Sequence, residues 1–269
     1  FINLDYIETL VLDEADLMLD MGFIDDVRKI ERLCPKEKQI LLFSATMPAK
    51  VVQLANTILK DPETVDATPT SSAAKNVNQL LFYVHKQHKM ELCLHLLRNT
   101  IKGNILIFRR TKMGIAKLEK MLKGNGYKVD SIHGDKNQND REKALNNFKD
   151  GAINILIATD VAARGIDIDN LDAVINFDIP NVSETYVHRI GRTGRAGNTG
   201  NAYSFCSADE KTYIKDIQKL INTAVPVMDE HPYVLDPKAK REVHRTPGKS
   251  KHKPGRKSAA SKKNKKRWY

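Results

Sequence analysis

Short apolar runs alternate with helically spaced apolar positions from the start of the chain to about residue 222. Candidate strands are "TLVLD" (9–13), "QILLFSA" (39–45), "NQLLFYV" (78–84), "NILIFRR" (104–110), "KVDSIH" (128–133), "INILIAT" (153–159), "DAVINFD" (172–178) and "GNAYSFC" (200–206). Helical patterns lie between them at 112–123, 138–149 and 209–222. In the first of these, Ile115, Leu118, Met121 and Leu122 share one face. Strands that are apolar on both faces and separated by helices predict an α/β fold with parallel sheets covered on both sides.

One soft stretch, "ATPTSSAAKNVN" (67–78), breaks the alternation. It is rich in Thr, Ser, Ala and Pro and reads as a linker over 67–77. Residues 78–222 then form a complete α/β domain, whereas 1–66 hold two clear strands, too few for an independent sheet domain. The front part is therefore expected to be the C-terminal portion of a larger domain. Residues 223–236 read as an extension without a core pattern, and 237–269 as a disordered basic tail.

Composition narrows the class. With 41% hydrophobic and 29% charged residues, the 269-residue chain fits a globular protein. No apolar run approaches the ~18–20 residues of a membrane span. Cys34, Cys93 and Cys206 are far apart, without a C-x-x-C pair, which argues against a metal site or disulfide framework and for core thiols in a reducing cytoplasm. The net charge of +11 is uneven: residues 237–269 carry 14 Lys/Arg and one acid, a net of +13, leaving −2 for the remainder. Such a tail meets nucleic-acid phosphates, or simply solubilises an unstructured end. "KKNKKR" (262–267) reads as RNA-binding rather than as a nuclear address, and Trp268 and Tyr269 either stack on bases or dangle.

The polar clusters sit at strand ends, where α/β sheets gather ligands: Asp13-Glu14, Ser44-Ala45-Thr46, His133-Gly134-Asp135, Thr159-Asp160 and Asp178. Split between two sheets, they suggest one cleft between two domains. Asp13 suits a hard cation held through water, and Glu14 could deprotonate a water beside a phosphate. Both acids equally suit the N-terminus of a following helix. In "HRIGRTGRAG" (188–197), Arg189, Arg192 and Arg195 recur every three residues with glycines interleaved. Helical spacing would gather the guanidiniums near one face, glycines would admit a ligand, and Arg forks match phosphate oxygens. His85, His88 and His95 lie near one helix without an accompanying acid or Cys ligand and read as surface histidines; Phe108 and Phe177 read as core.

The motifs "DEAD" (13–16), "SAT" (44–46), "LIFRRTK" (106–112), "IHGDKNQNDR" (132–141), "ATDVAARGIDI" (158–168) and "YVHRIGRTGRAG" (186–197) follow one another in order. Over about 1–222 the chain resembles the DEAD-box ATP-dependent RNA helicases of superfamily 2, and "NFDIPNVSETYVHRIGRTGRAG" with the short basic tail looks like the bacterial RhlE-type subgroup. The resemblance implies two RecA-like parallel-sheet domains, the first only partly present. It also implies roles. Asp13 would coordinate Mg²⁺ through water and Glu14 would be the catalytic base. Asp16, Ser44 and Thr46, with His188, would couple the nucleotide site to the domain interface. Asp167 would touch the nucleotide ribose, and Arg192 and Arg195 the γ-phosphate of ATP. Thr111, Gly134, Arg141 and Thr159 would lie on the RNA backbone. By itself "SAT" fits an ST-turn after a strand as well.

The family's phosphate loop, G-x-x-x-x-G-K-[ST], does not occur here. A RecA-like domain takes ~150 residues, so this chain by itself is expected not to hydrolyse ATP efficiently. For the intact protein the resemblance implies ATP-driven opening of short RNA duplexes in the cytoplasm, by a monomer, with ribosomal or degradation complexes as candidate partners and no membrane. A non-enzymatic RNA-binding or annealing clamp is the alternative, and a DNA-translocating relative is disfavoured by the spelling of "DEAD" and "HRIGRTGR".

Overall fold

The computed structural model describes residues 3–66, 77–163, 166, 168, 171–194 and 199–235. Two parallel sheets organise them. The front sheet pairs β1 (Thr9–Leu12) with β2 (Gln39–Leu42), register Thr9 to Gln39. Helices α1 (Ala15–Asp20), α2 (Ile24–Leu33) and α3 (Ala49–Ile58) accompany it. Leu12, Val27, Leu54 and Ile58 form its core.

The second sheet has six parallel strands in the order β3-β8-β7-β4-β6-β5: β3 (Val77–Tyr83), β4 (Ile105–Phe108), β5 (Val129–Ile132), β6 (Ile155–Ala158), β7 (Ala173–Asn176) and β8 (Gly200–Cys206). Helices α4 (Lys89–Asn99), α5 (Lys112–Gly124), α6 (Gln138–Lys149), α7 (Asp160–Ala163), α8 (Ser183–Ile190) and α9 (Lys211–Ile221) connect them. Side chains alternate across each strand, so "ILIF" feeds two cores. Ile105 and Ile107 pack with Phe82, Leu92 and Ile115, while Leu106 and Phe108 pack with Ile132, Phe148 and Val174. Both faces are covered, as expected of an all-parallel sheet. All eight expected strands form, trimmed by a residue or two at most ends. On α5, Ile115, Leu118 and Leu122 are buried and Met121 is half-buried against the same core.

Three features depart from the sequence reading. Val77, read as the last linker residue, opens β3 opposite Gly200, while the rest of the linker lies outside the described residues. The helical pattern at 209–222 starts as a 3₁₀ turn, Ala208–Glu210, because Ser207 and Glu210 close a capping box before α9 begins. Residues 225–235 have a core role after all. β3 is an edge strand, and the segment covers that edge: Leu81 N–H donates to Pro226 O at 2.8 Å and Leu235 N–H to Tyr83 O at 3.0 Å. Val225 and Leu235 are buried there. An open edge leaves backbone groups unpaired, and the segment satisfies them without any repeating apolar pattern of its own. The tail reading for 237–269 falls outside the described residues.

Candidate functional site

The turn after β1 and the loop after β2 wind around one carboxylate. Glu14 takes a left-handed conformation, φ 53° and ψ 47°, and its N–H donates to Asp13 Oδ1 at 2.9 Å. That turn sends Asp16 inward, where it is 2% exposed. Thr46 donates twice to Asp16 Oδ2, from N–H at 3.0 Å and from Oγ1 at 2.7 Å. Asp16 N–H donates to Ser44 Oγ at 3.1 Å, and Ser44 donates onward to Thr46 O at 2.7 Å. "SAT" is thus both a local Ser/Thr turn and a cage around Asp16.

The same Asp16 Oδ2 lies 3.1 Å from His188 Nε2 on α8, after the second sheet's β7. A carboxylate only accepts, so Nε2 carries the proton. Burial opposes ionisation of Asp16, but the His188 and Thr46 hydrogen bonds outweigh it and bring the pKa from 3.8 to about 2. A depressed carboxylate contributes stability above its unfolded pKa and loses it as pH falls through the folded one. The cage should therefore hold fully above about pH 4 and weaken towards pH 2, by about 2 kcal/mol in total. Acid unfolding should lose that step in Asp16→Asn; an unchanged acid profile would contradict the assignment.

Beside the cage, Arg192 Nη2 of the second unit stands 3.8 Å from Glu14 Oε1, and Arg192 Nη1 donates to Ile166 O at 3.2 Å. Asp13 is exposed at the end of β1. Asp167 and Arg195 fall outside the described residues. Thr111, Gly134 and Thr159 stand at the carboxyl ends of β4, β5 and β6, three adjacent strands. Thr111 Oγ1 caps α5 by accepting Gly114 N–H at 3.1 Å. Gly134 is exposed, and a Cβ there would meet nothing within 4 Å. Arg141 on α6 reaches across to Ala162 O at 3.5 Å, with its buried Nε lacking a hydrogen-bond partner.

Two family models match the chain: "DEAD/DEAH box helicase" over residues 2–55 and "Helicase conserved C-terminal domain" over 88–197. The Escherichia coli DEAD-box protein SrmB, solved bound to regulator of ribonuclease activity A, is 33% identical, with TM-score 0.54 over 56% of this chain and 90% of that one. The chain belongs to the DEAD-box RNA helicase family. DEAD-box ATP-dependent RNA helicase CshA of Bacillus subtilis is 43% identical over 234 residues, 85% of this chain and 47% of the relative. The chain spans about half the length of that curated relative. Dbp5 of Saccharomyces cerevisiae bound to RNA and ADP BeF3 is 34% identical, with TM-score 0.76 over 84% of this chain and 60% of that one. A variant of Dbp5 bound to Nup159, Gle1, IP6 and ADP is 31% identical and gives 0.56 over the same shares.

Within this DEAD-box chain the arginine run divides. Arg189 is 3% exposed and wholly engaged. It grips both oxygens of Asp160 at 2.6 and 2.8 Å, donates to Asn176 Oδ1 and Asp178 O, and lies over the Phe108 ring. It is a structural brace and no phosphate ligand, contrary to the reading of "HRIGRTGRAG" as one phosphate-binding face. The three-residue spacing fails because α8 ends at Ile190, so Arg192 lies past the helix. Phe108 and Phe177 are core residues, as read. His85, His88 and His95 are partly exposed, and the 225–235 segment brings Tyr233 onto His88 and His95. Among the described residues no cluster of three or more His, Cys, Asp or Glu can hold a metal, and no helix is long and apolar enough to cross a membrane.

The sequence reading missed a buried cluster at the far side of the same strand ends. Lys89, 2% exposed, pairs with Glu210 at 2.5 Å and donates to Phe177 O at 2.9 Å. Arg109 stacks over the Phe177 ring at 4.0 Å and is pulled below the usual arginine range by burial, against the field of Asp178. Nothing local announces the Lys89–Glu210 pair, whose members are 121 residues apart.

Proposed function

We propose that the full-length protein is an RNA-dependent ATPase that opens short RNA duplexes or remodels RNA–protein complexes, and that this chain carries its coupling machinery. One observation carries the reading: a single oxygen of Asp16 is bonded by Thr46 of its own unit and by His188 of the other. Whatever fixes the "DEAD" turn is thereby felt by α8 and the arginine loop. The better match to Dbp5 in its RNA- and ADP BeF3-bound form supports reading this arrangement as the closed one.

In that state Glu14 would take a proton from the water attacking the γ-phosphate, and Arg192 and Arg195 would meet the charge that develops there. Asp167 would contact the ribose. Thr111, Gly134, Arg141 and Thr159 would follow the RNA backbone, and Gly134 leaves room for a close approach. Asp13 offers one hard oxygen beside Glu14. That donor set suits Mg²⁺, which keeps most of its shell as water and phosphate, and Mg²⁺ would screen the phosphate charge of bound ATP. The basic tail would add sequence-independent grip on RNA. The "NFDIPNVSETYVHRIGRTGRAG" spelling and the short tail favour the RhlE-type subgroup, and the family resemblance goes with a monomer in the cytoplasm and with ribosomal or degradation complexes as candidate partners.

The test is ATP turnover by the full-length protein with and without single-stranded RNA. Turnover should rise at least tenfold with RNA. Tight RNA binding without any turnover would instead establish the annealing clamp.

A further inference from the structure

Leu17 follows the "DEAD" acids on the first turn of α1. A leucine there is 3% exposed, yet it stands outside the cluster of Leu12, Val27, Leu54 and Ile58 that forms the front core. Its neighbours lie across the gap. Leu17 shares the wall of a cavity of about 20 Å³ with Phe108, Ala163, Thr185, His188 and Arg189, all of the second unit. Arg189 is locked by Asp160 of its own unit, so that part of the receiving surface is held without Leu17. A cavity of that size leaves Leu17 close to filling its socket.

We propose that Leu17 is the apolar latch of domain closure, a positioning residue whose side chain is buried only when the two units meet. This rests on the helicase reading above. The adjoining hydrogen bond from His188 to Asp16 is directional and charge-assisted, and water replaces part of it when the units part. Burial of an aliphatic side chain has no such replacement. Leu17 therefore adds apolar driving force to the register and charge-assisted bond that Asp16 and His188 supply. On the helicase reading ATP and RNA both favour the closed state, so anything that favours closure raises the mutual enhancement of their binding.

The experiment measures RNA affinity of the full-length protein with and without the non-hydrolysed nucleotide ADP BeF3, for wild type, Leu17→Ala and Leu17→Met. Leu17→Ala should reduce the nucleotide-induced gain in RNA affinity roughly thirty-fold, the equivalent of about 2 kcal/mol. RNA affinity without nucleotide, nucleotide affinity without RNA and the unfolding temperature should stay at wild-type values. Leu17→Met, similar in volume, should restore the gain. A wild-type protein with no such gain would sink the helicase reading and the latch with it. A gain that survives Leu17→Ala, or an equal loss of RNA affinity without nucleotide, would overturn the latch alone.

Discussion

Glu14→Gln should lower RNA-stimulated ATP turnover of the full-length protein by about 10²–10⁴-fold, the contribution of a positioned general base, while leaving ATP and RNA binding in place. The geometry supports assigning that role to this acid. A left-handed backbone at a non-glycine residue costs of order 1–3 kcal/mol and persists where the surroundings enforce it. Here Asp13 holds the Glu14 N–H and Asp16 is caged two residues on, so the strained residue is pinned from both sides. The outcome is a carboxylate that stays 34% exposed at the interface and faces Arg192, while the next acid, Asp16, is sequestered. Gln keeps the size and loses the proton acceptor. If Glu14→Gln binds both ligands and turns over at the wild-type rate, the base is another group. A glycine there would relieve the turn and separate the two effects, since it should stabilise the backbone and still abolish turnover.

Element positions and element type were legible because doubly buried parallel strands advertise themselves. "NILIF" and "INILIA" have no polar face to mistake for a loop, and the helix between Thr111 and Gly124 shows its apolar stripe directly. The Asp16, Ser44, Thr46 and His188 grouping was legible only through the family resemblance. Spacing alone gives Ser44 a local turn, which it also makes. Arg189 was misread because periodicity assumes the helix continues, and Gly191 stops it. The 225–235 segment was illegible for another reason: it is held by backbone hydrogen bonds to an edge, and such bonds leave no side-chain pattern.

Lys89→Met should destabilise the second unit by about 3 kcal/mol, within the range for removing one member of a buried ion pair, and lower its unfolding temperature by about 10 °C. Glu210 explains the size. It is 4% exposed on its side chain and accepts from Ser207 N–H, Ser207 Oγ, Ile179 N–H and Arg110 as well as Lys89. Met fills the methylene volume of Lys89 and takes away the buried cation paired with Glu210. What remains is a buried carboxylate whose other ion-pair partner among the described residues, Arg110, is 46% exposed and pulled towards water, with Arg109 acting on it at longer range. Glu210→Gln alone should cost less, because the amide keeps acceptor capacity for the backbone donors. The double change should recover part of the loss of Lys89→Met, since no unpaired charge is then left inside. If Lys89→Met costs under about 1 kcal/mol, water reaches the pair and burial is not what makes it matter. The consequence for function is indirect but definite. Glu210 holds Ile179 N–H, and Lys89 holds Phe177 O, so the pair fixes the chain leaving β7 from both sides just before α8 carries His188 to the interface. Loosening it should blunt RNA–nucleotide coupling even at temperatures where the unit stays folded.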